Sequence, residues 1–166
     1  KNLKVSEIMT PRVVVAVADE NLQLKEFLKN KDYLKFSRIP VYSDNPENVT
    51  GYVIRQKVFE NLAEDKHNLK LNAIKREILV VPDSMVLYSL WEKLLEKKEH
   101  IALIIDEYGG FKGIVTMEDI IETLLGLEIV DEKDTITDMR KFARERWKTR
   151  QAKYNLMNKL NASDDN

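Results

Sequence analysis

The sequence has no cysteine, which excludes disulfides and thiolate metal sites and fits a reducing compartment. It has two histidines, His67 and His100, isolated from each other. Neither a zinc site nor a histidine-based catalytic group is indicated. It lacks a dominant charge: 27 basic and 28 acidic residues leave a formal net charge of −1. No global field draws such a chain to nucleic acid or an anionic membrane. It also lacks long hydrophobic runs. The longest, residues 13–18 and Ile101–Ile105, fall far short of the roughly 20 residues a membrane helix needs. No basic-then-apolar leader opens it, so no signal peptide is expected. The first residues instead read as the inside of a functional element, so the chain is expected to be a fragment of something longer.

What is present is an ordinary globular balance, 43% hydrophobic and 33% charged, over 166 residues. That length suits one compact domain, or two small repeats sharing a core. The sequence favours the repeat. An apolar run from Val13 is followed by Asp19 and an amphipathic stretch with Leu22, Leu24, Phe27 and Leu28. Arg38-Ile39-Pro40-Val41-Tyr42, a polar turn, Gly51-Tyr52-Val53-Ile54 and a second amphipathic stretch through Leu62 complete the unit. The order returns from Ile78: an apolar run, Ser84, a helix with Leu87, Leu90, Trp91, Leu94 and Leu95, then Ile101–Ile105, a Gly-rich turn, Gly113-Ile114-Val115-Thr116 and a helix with Ile120, Ile121, Leu124 and Leu125. Gly51 and Gly113 stand 62 residues apart; Val13 and Ile78 stand 65 apart. Short β-branched runs bounded by turn residues predict strands, and apolar residues three and four apart predict helices. Asp19 and Ser84 are the expected N-caps. Two units of about 60 residues cannot bury much core alone, so they are expected to pack on each other.

The predicted boundaries are a first repeat over 1–66, a second over 67–127, an acidic linker over 128–137, a basic helix over 138–160 and a frayed tail over 161–166. Met139, Phe142, Ala143, Trp147, Tyr154 and Met157 give the basic helix a partial apolar stripe. Docking on its own domain or on a dimer mate is the preferred reading; a membrane surface or RNA are the other surfaces it could meet.

Ile8-Met9-Thr10-Pro11-Arg12, Ser37-Arg38-Ile39-Pro40-Val41-Tyr42 and above all the run from Asp106-Glu107-Tyr108-Gly109-Gly110 through Gly113-Ile114-Val115-Thr116-Met117-Glu118-Asp119-Ile120 resemble the CBS-domain pair of the haemolysin C-like family, which includes magnesium–cobalt efflux proteins and cyclin M-like transporters. The resemblance covers residues 5–134. It implies an α+β fold, two β-α-β-β-α CBS motifs packed as a pair, here followed by a C-terminal helix. It also implies a cytoplasmic module without enzymatic activity that binds an adenine nucleotide, ATP or AMP, with or without magnesium. By the same resemblance it forms a homodimer, is joined to an N-terminal transmembrane domain absent from this sequence, and regulates divalent cation transport; the region itself is soluble and no nucleic-acid partner is expected. Many relatives carry a further C-terminal domain, for which the 32 residues after Asp134 are too few.

Thr116 and Asp119 are the leading site residues. A strand-to-helix step presents unpaired N–H groups and partial positive charge to a phosphate. A threonine hydroxyl there can donate to a phosphate oxygen, and a carboxylate three residues on can accept from ribose hydroxyls. The same spacing also suits a helix-capping box, and both roles can coexist. In the first repeat Ile54 and Lys57 take the two positions, and neither can perform these contacts. One competent site is therefore expected, with the first repeat supplying surroundings. Thr10, Phe36 and Arg38 are candidates there, Arg38 by its planar fork toward phosphates. Ala102 is a candidate for leaving room for an adenine edge. Core packing for Phe36 and Ala102, and a surface ion pair for Arg38, are the alternatives. The residues 106–110 read as a turn with both glycines at positive φ. Residues 128–134 read as a solvated acidic run, so no dedicated metal site and no catalytic residue is assigned. A ligand-free dimerisation module and a nucleic-acid binder acting through the basic helix are the competing functions.

Overall fold

The structure is a computed structural model that describes residues 3–132 and 139–164. It divides into two compact units, one ending at Met117 and one starting at Glu118. The first unit holds β1 (Thr10–Pro11), β2 (Ala18–Asp19), α1 (Leu24–Phe27), β3 (Arg38–Tyr42), β4 (Val49–Ile54), α2 (Arg55–Ala63), β5 (Leu79–Pro82), α3 (Leu87–Lys97), β6 (Ile101–Ile105) and β7 (Phe111–Thr116). α4 (Met117–Glu132) begins at the last residue of that unit, and α5 (Met139–Asp164) follows. Among the described residues no helix is long and apolar enough to cross a membrane.

The strands form two sheets, β2-β3-β4 and β1-β7-β6-β5. Each repeat builds its sheet by the same rule. Its first strand lies parallel to its second, β2 to β3 and β5 to β6, and its second runs antiparallel to its third. Both hairpins shift register at the equivalent step, between Val41 and Tyr42 and between Ile104 and Ile105. The duplication read from the sequence is therefore present down to the irregularities of the ladder.

Each repeat also has a leader, a short 3-10 turn at Val5–Glu7 and at Leu71–Ala73, whose first residue is fully buried. The leaders are exchanged. The first lies on the second repeat, where the Val5 N–H donates to the Met85 carbonyl at 2.9 Å and Thr10 pairs with Ile114. The second lies on the first repeat, where the Leu24 N–H donates to the Leu69 carbonyl at 2.8 Å and Arg76 pairs with Tyr52. Close approach of these leaders requires glycine in the receiving strands. A Cβ on Gly113 would stand 2.3 Å from the Thr10 carbonyl oxygen, and one on Gly51 2.4 Å from that of Arg76.

One core lies in the first repeat and the second leader seated on it, around Leu24, Phe27, Ile39, Val41, Val53, Val58 and Leu71. A second joins the repeats: Tyr52 packs with Ile78, Ile101, Leu103 and Phe111, with Ile54 and Ile114 against them.

The structure changes several local expectations. Residues 13–17 do not form a strand; Arg12–Val14 is a 3-10 turn and β2 is only Ala18–Asp19. Pro40 explains this. Both backbone bonds of Tyr52 go to Arg76, so Pro40, its partner across the hairpin, turns its nitrogen toward β2 and has no hydrogen to donate. Asp19 and Ser84 do not cap helices. Gln23 and Val86 occupy the N-cap positions of α1 and α3 without side-chain caps, and Asp19 instead accepts from the Asn21 N–H at 2.9 Å. α4 runs through Glu132, so residues 128–132 are helical rather than linker, while 133–138 lie outside the described residues. α5 reaches Asp164, so residues 161–164 continue the helix.

Candidate functional site

A β-strand turns successive side chains to opposite faces, so the register sorts the expected site residues. Thr10 pairs with Ile114, and Ile101 with Thr116, which puts Thr10, Ile114, Thr116 and Ile101 on one face of the second sheet. Arg38 pairs with Ile54, and Pro40 with Tyr52, which puts Arg38, Ile54 and Tyr52 on one face of the first sheet. These are the two faces that meet in the inter-repeat core. Thr10, Arg38 and Thr116 are each half-buried. The Arg38 Nε is buried and makes no hydrogen bond. The surface ion pair considered for Arg38 is thus not its arrangement at Nε. Phe36, two residues before β3, is 45% exposed and is not a core residue.

Ala102 differs. It is fully buried and pairs with Val115, so its side chain lies on the face opposite Thr10 and Thr116. The expectation that its small side chain opens the site is corrected: it packs in the core of the second repeat, because the period of two turns it away.

Thr116 ends β7, and Asp119 is the third residue of α4, in the second unit. The first repeat repeats this step with other chemistry. Ile54 ends β4, and Lys57, the third residue of α2, forms an i,i+3 ion pair with Glu60 at 3.0 Å. Among the described residues no group of three or more His, Cys, Asp and Glu could hold a metal ion.

The turn at residues 106–110 is held by its first side chain. The Asp106 carboxylate accepts from the Gly110 and Tyr108 N–H groups at 2.8 and 2.9 Å. These bonds, that from Gly110 foremost, hold its carboxyl below the usual aspartate value. Only Gly109 takes positive φ, at 80°, so the expectation for both glycines is half met.

The repeat pattern alone did not single out two polar clusters. In one, Glu20 is buried and takes the Lys75 ammonium at 2.6 Å and the Thr50 hydroxyl at 3.1 Å. The Lys75 bond lowers its carboxyl from the ordinary value. In the other, the Tyr52 hydroxyl donates to Glu99 at 2.7 Å while Arg76 lies 3.6 Å from the same carboxylate. Burial, and then the Glu99 bond, push the Tyr52 hydroxyl up. Extending the repeat alignment upstream to the leaders would have found Arg76, since it stands opposite Thr10. In the second unit, Arg150 of α5 pairs with Glu122 of α4 at 2.9 Å. The described members of the α5 apolar stripe, Trp147, Tyr154 and Met157, are exposed.

Comparison with known proteins identifies the arrangement. The model of the CBS domain matches residues 71–126. Hemolysin C of Brachyspira hyodysenteriae is 40% identical over 134 residues, covering 81% of this chain and 48% of that protein. The magnesium and cobalt efflux protein CorC of Escherichia coli K12 is 31% identical over 149 residues, covering 89% and 51%. The chain thus spans about half the length of the curated relatives it matches. Among solved structures, the CBS domain of a bacterial CNNM/CorC family Mg2+ transporter in complex with ATP aligns with a TM-score of 0.70 at 31% identity, covering 75% of this chain and 88% of that one. A CBS-domain pair with bound AMP from Klebsiella pneumoniae aligns with a TM-score of 0.66 at 27% identity, covering 74% and 98%. Repeated β-α-β-β-α units, exchanged leaders and these matches agree: this chain belongs to the CBS-domain pairs of the haemolysin C-like and magnesium–cobalt efflux family.

Proposed function

We propose that the chain is a non-enzymatic regulatory module that binds one adenine nucleotide, ATP or AMP, per chain. The observation that carries this reading is the buried Arg38 Nε without an acceptor, on the face that packs toward the one bearing Thr10 and Thr116. A buried donor of this kind calls for a partner, and a phosphate oxygen suits a guanidinium. Thr10 and Thr116 supply hydroxyls, Asp119 the ribose acceptor, and exposed Phe36 an apolar surface for the base. A capping role for Thr116 and Asp119 is compatible, because a carboxylate has two oxygens. Magnesium enters with the ATP phosphates, which is its usual mode of binding.

The relatives' names support a setting in divalent cation transport. The module is joined to an N-terminal membrane domain, lies on the cytoplasmic side, and biases divalent cation transport through a homodimer of CBS pairs. The domain boundaries follow the repeat: leader and first motif, leader and second motif, then α5.

Calorimetry and thermal unfolding with ATP and AMP, with and without magnesium, test this. A ligand at about 100 times its Kd stabilises by roughly 2.7 kcal/mol. Thr116→Ile with Asp119→Ala abolishes that shift and leaves a folded protein. Unchanged binding by the double variant rules out the site. No binding at millimolar nucleotide favours the ligand-free dimerisation module.

A further inference from the structure

The two repeats place equivalent residues at two positions, and the leaders show how they correspond. Thr10 sits beside Gly113, and Arg76 occupies the matching place beside Gly51. Phe36 stands two residues before β3, and Glu99 two residues before β6. Thr116 corresponds to Ile54 and Asp119 to Lys57. The counterpart of the proposed Thr10–Phe36 site is therefore the position of Arg76, Glu99, Ile54 and Lys57. It is occupied from within. The Glu99 carboxylate accepts from the Tyr52 hydroxyl at 2.7 Å and faces the Arg76 guanidinium at 3.6 Å, with its side chain only 19% exposed.

Glu99 is aimed there by the end of α3. Its N–H donates to the Leu94 carbonyl at 2.9 Å, and Lys98 takes a left-handed conformation with φ of 54°. This closed turn fixes where the Glu99 side chain leaves the backbone. The donors that receive it, a tyrosine hydroxyl and an arginine, are those that would receive an external anion.

We propose that Glu99 is a built-in anionic ligand of this second position. Bound by Tyr52 and Arg76, it excludes an external nucleotide there and ties the two repeats together. The occupancy rests on the geometry alone; only the exclusion of a second nucleotide rests on the functional reading above.

Two measurements on the full chain test the two parts separately. Without nucleotide, urea unfolding is compared for Tyr52→Phe, Glu99→Ala and the double variant. Each single change raises the unfolding constant about tenfold, and the double change is no worse than the harsher single one, because they remove one shared bond. Additive effects, or singles without effect, overturn the occupancy. With nucleotide, AMP calorimetry is run on Ile54→Thr/Lys57→Asp, which installs the missing contacts. Binding stays at one AMP per chain while Glu99 is present and rises to two when Glu99→Ala is added. Two AMP with Glu99 in place, or one without it, overturns the exclusion. A wild-type chain that binds neither AMP nor ATP overturns both the functional reading and the exclusion, while the unfolding comparison still decides the occupancy.

Discussion

At the residue scale, the side chains that matter are those whose backbone leaves them one direction. Thr10 and Thr116 share a face because a strand alternates, and Ala102 is lost to the site for the same reason. Their identities were legible in the sequence; the face of each was not, because it depends on the register between strands far apart in the chain. Asp106 was legible as a turn residue, and its two accepted N–H bonds add a pH dependence. Its folded-state carboxyl titrates below the ordinary 3.8, so it stabilises the fold above that value and ceases to do so as pH falls through its folded value. Asp106→Ala should therefore lower the thermal midpoint at about pH 6, and that deficit should shrink as the pH is taken down through and below the ordinary aspartate value. A deficit constant over this range would remove the carboxylate from the explanation.

At the element scale, helices and strands were read well where periodicity was long and poorly where one residue decided. The apolar run at residues 13–17 is a sound strand pattern, yet Pro40 on β3 offers it no donor. The caps were assigned by residue type, but the chain enters α1 and α3 through leader contacts that satisfy their N–H groups. The Leu24 N–H goes to Leu69 and the Leu87 N–H to Leu3. With those donors satisfied by backbone, Asp19 and Ser84 had no cap to make. At the other end of α3, Lys98 holds φ of 54°, a conformation that costs a side-chain-bearing residue about 1 kcal/mol. Lys98→Gly should stabilise the protein by about 0.5–1 kcal/mol in urea unfolding, since glycine adopts this conformation freely. A loss of stability would show that the lysine contributes more than its backbone costs.

At the scale of the whole molecule, the protein reads as two copies of one motif made unequal by a few substitutions. Exposed Tyr88 and Leu95, with half-buried Trp91 between them, lie three and four residues apart on α3 and give the first unit an uncovered apolar stripe. This is the face we assign to the proposed homodimer. Leu95→Glu should shift sedimentation toward monomer without preventing nucleotide binding, and nucleotide should move the wild-type dimerisation constant by no more than its differential affinity for the two states. A wild-type chain that remains monomeric at high concentration would refute the dimer. The sequence by itself determined the duplication, the strand–helix order, the family and the asymmetry between Thr116/Asp119 and Ile54/Lys57, because periodicity and residue chemistry are local properties. Tertiary structure alone decided the exchange of the leaders, the burial of the Arg38 Nε and the meeting of Tyr52, Arg76 and Glu99. Those depend on contacts between residues as far apart in the chain as Tyr52 and Glu99, or Thr10 and Ile114, and no local pattern encodes such meetings.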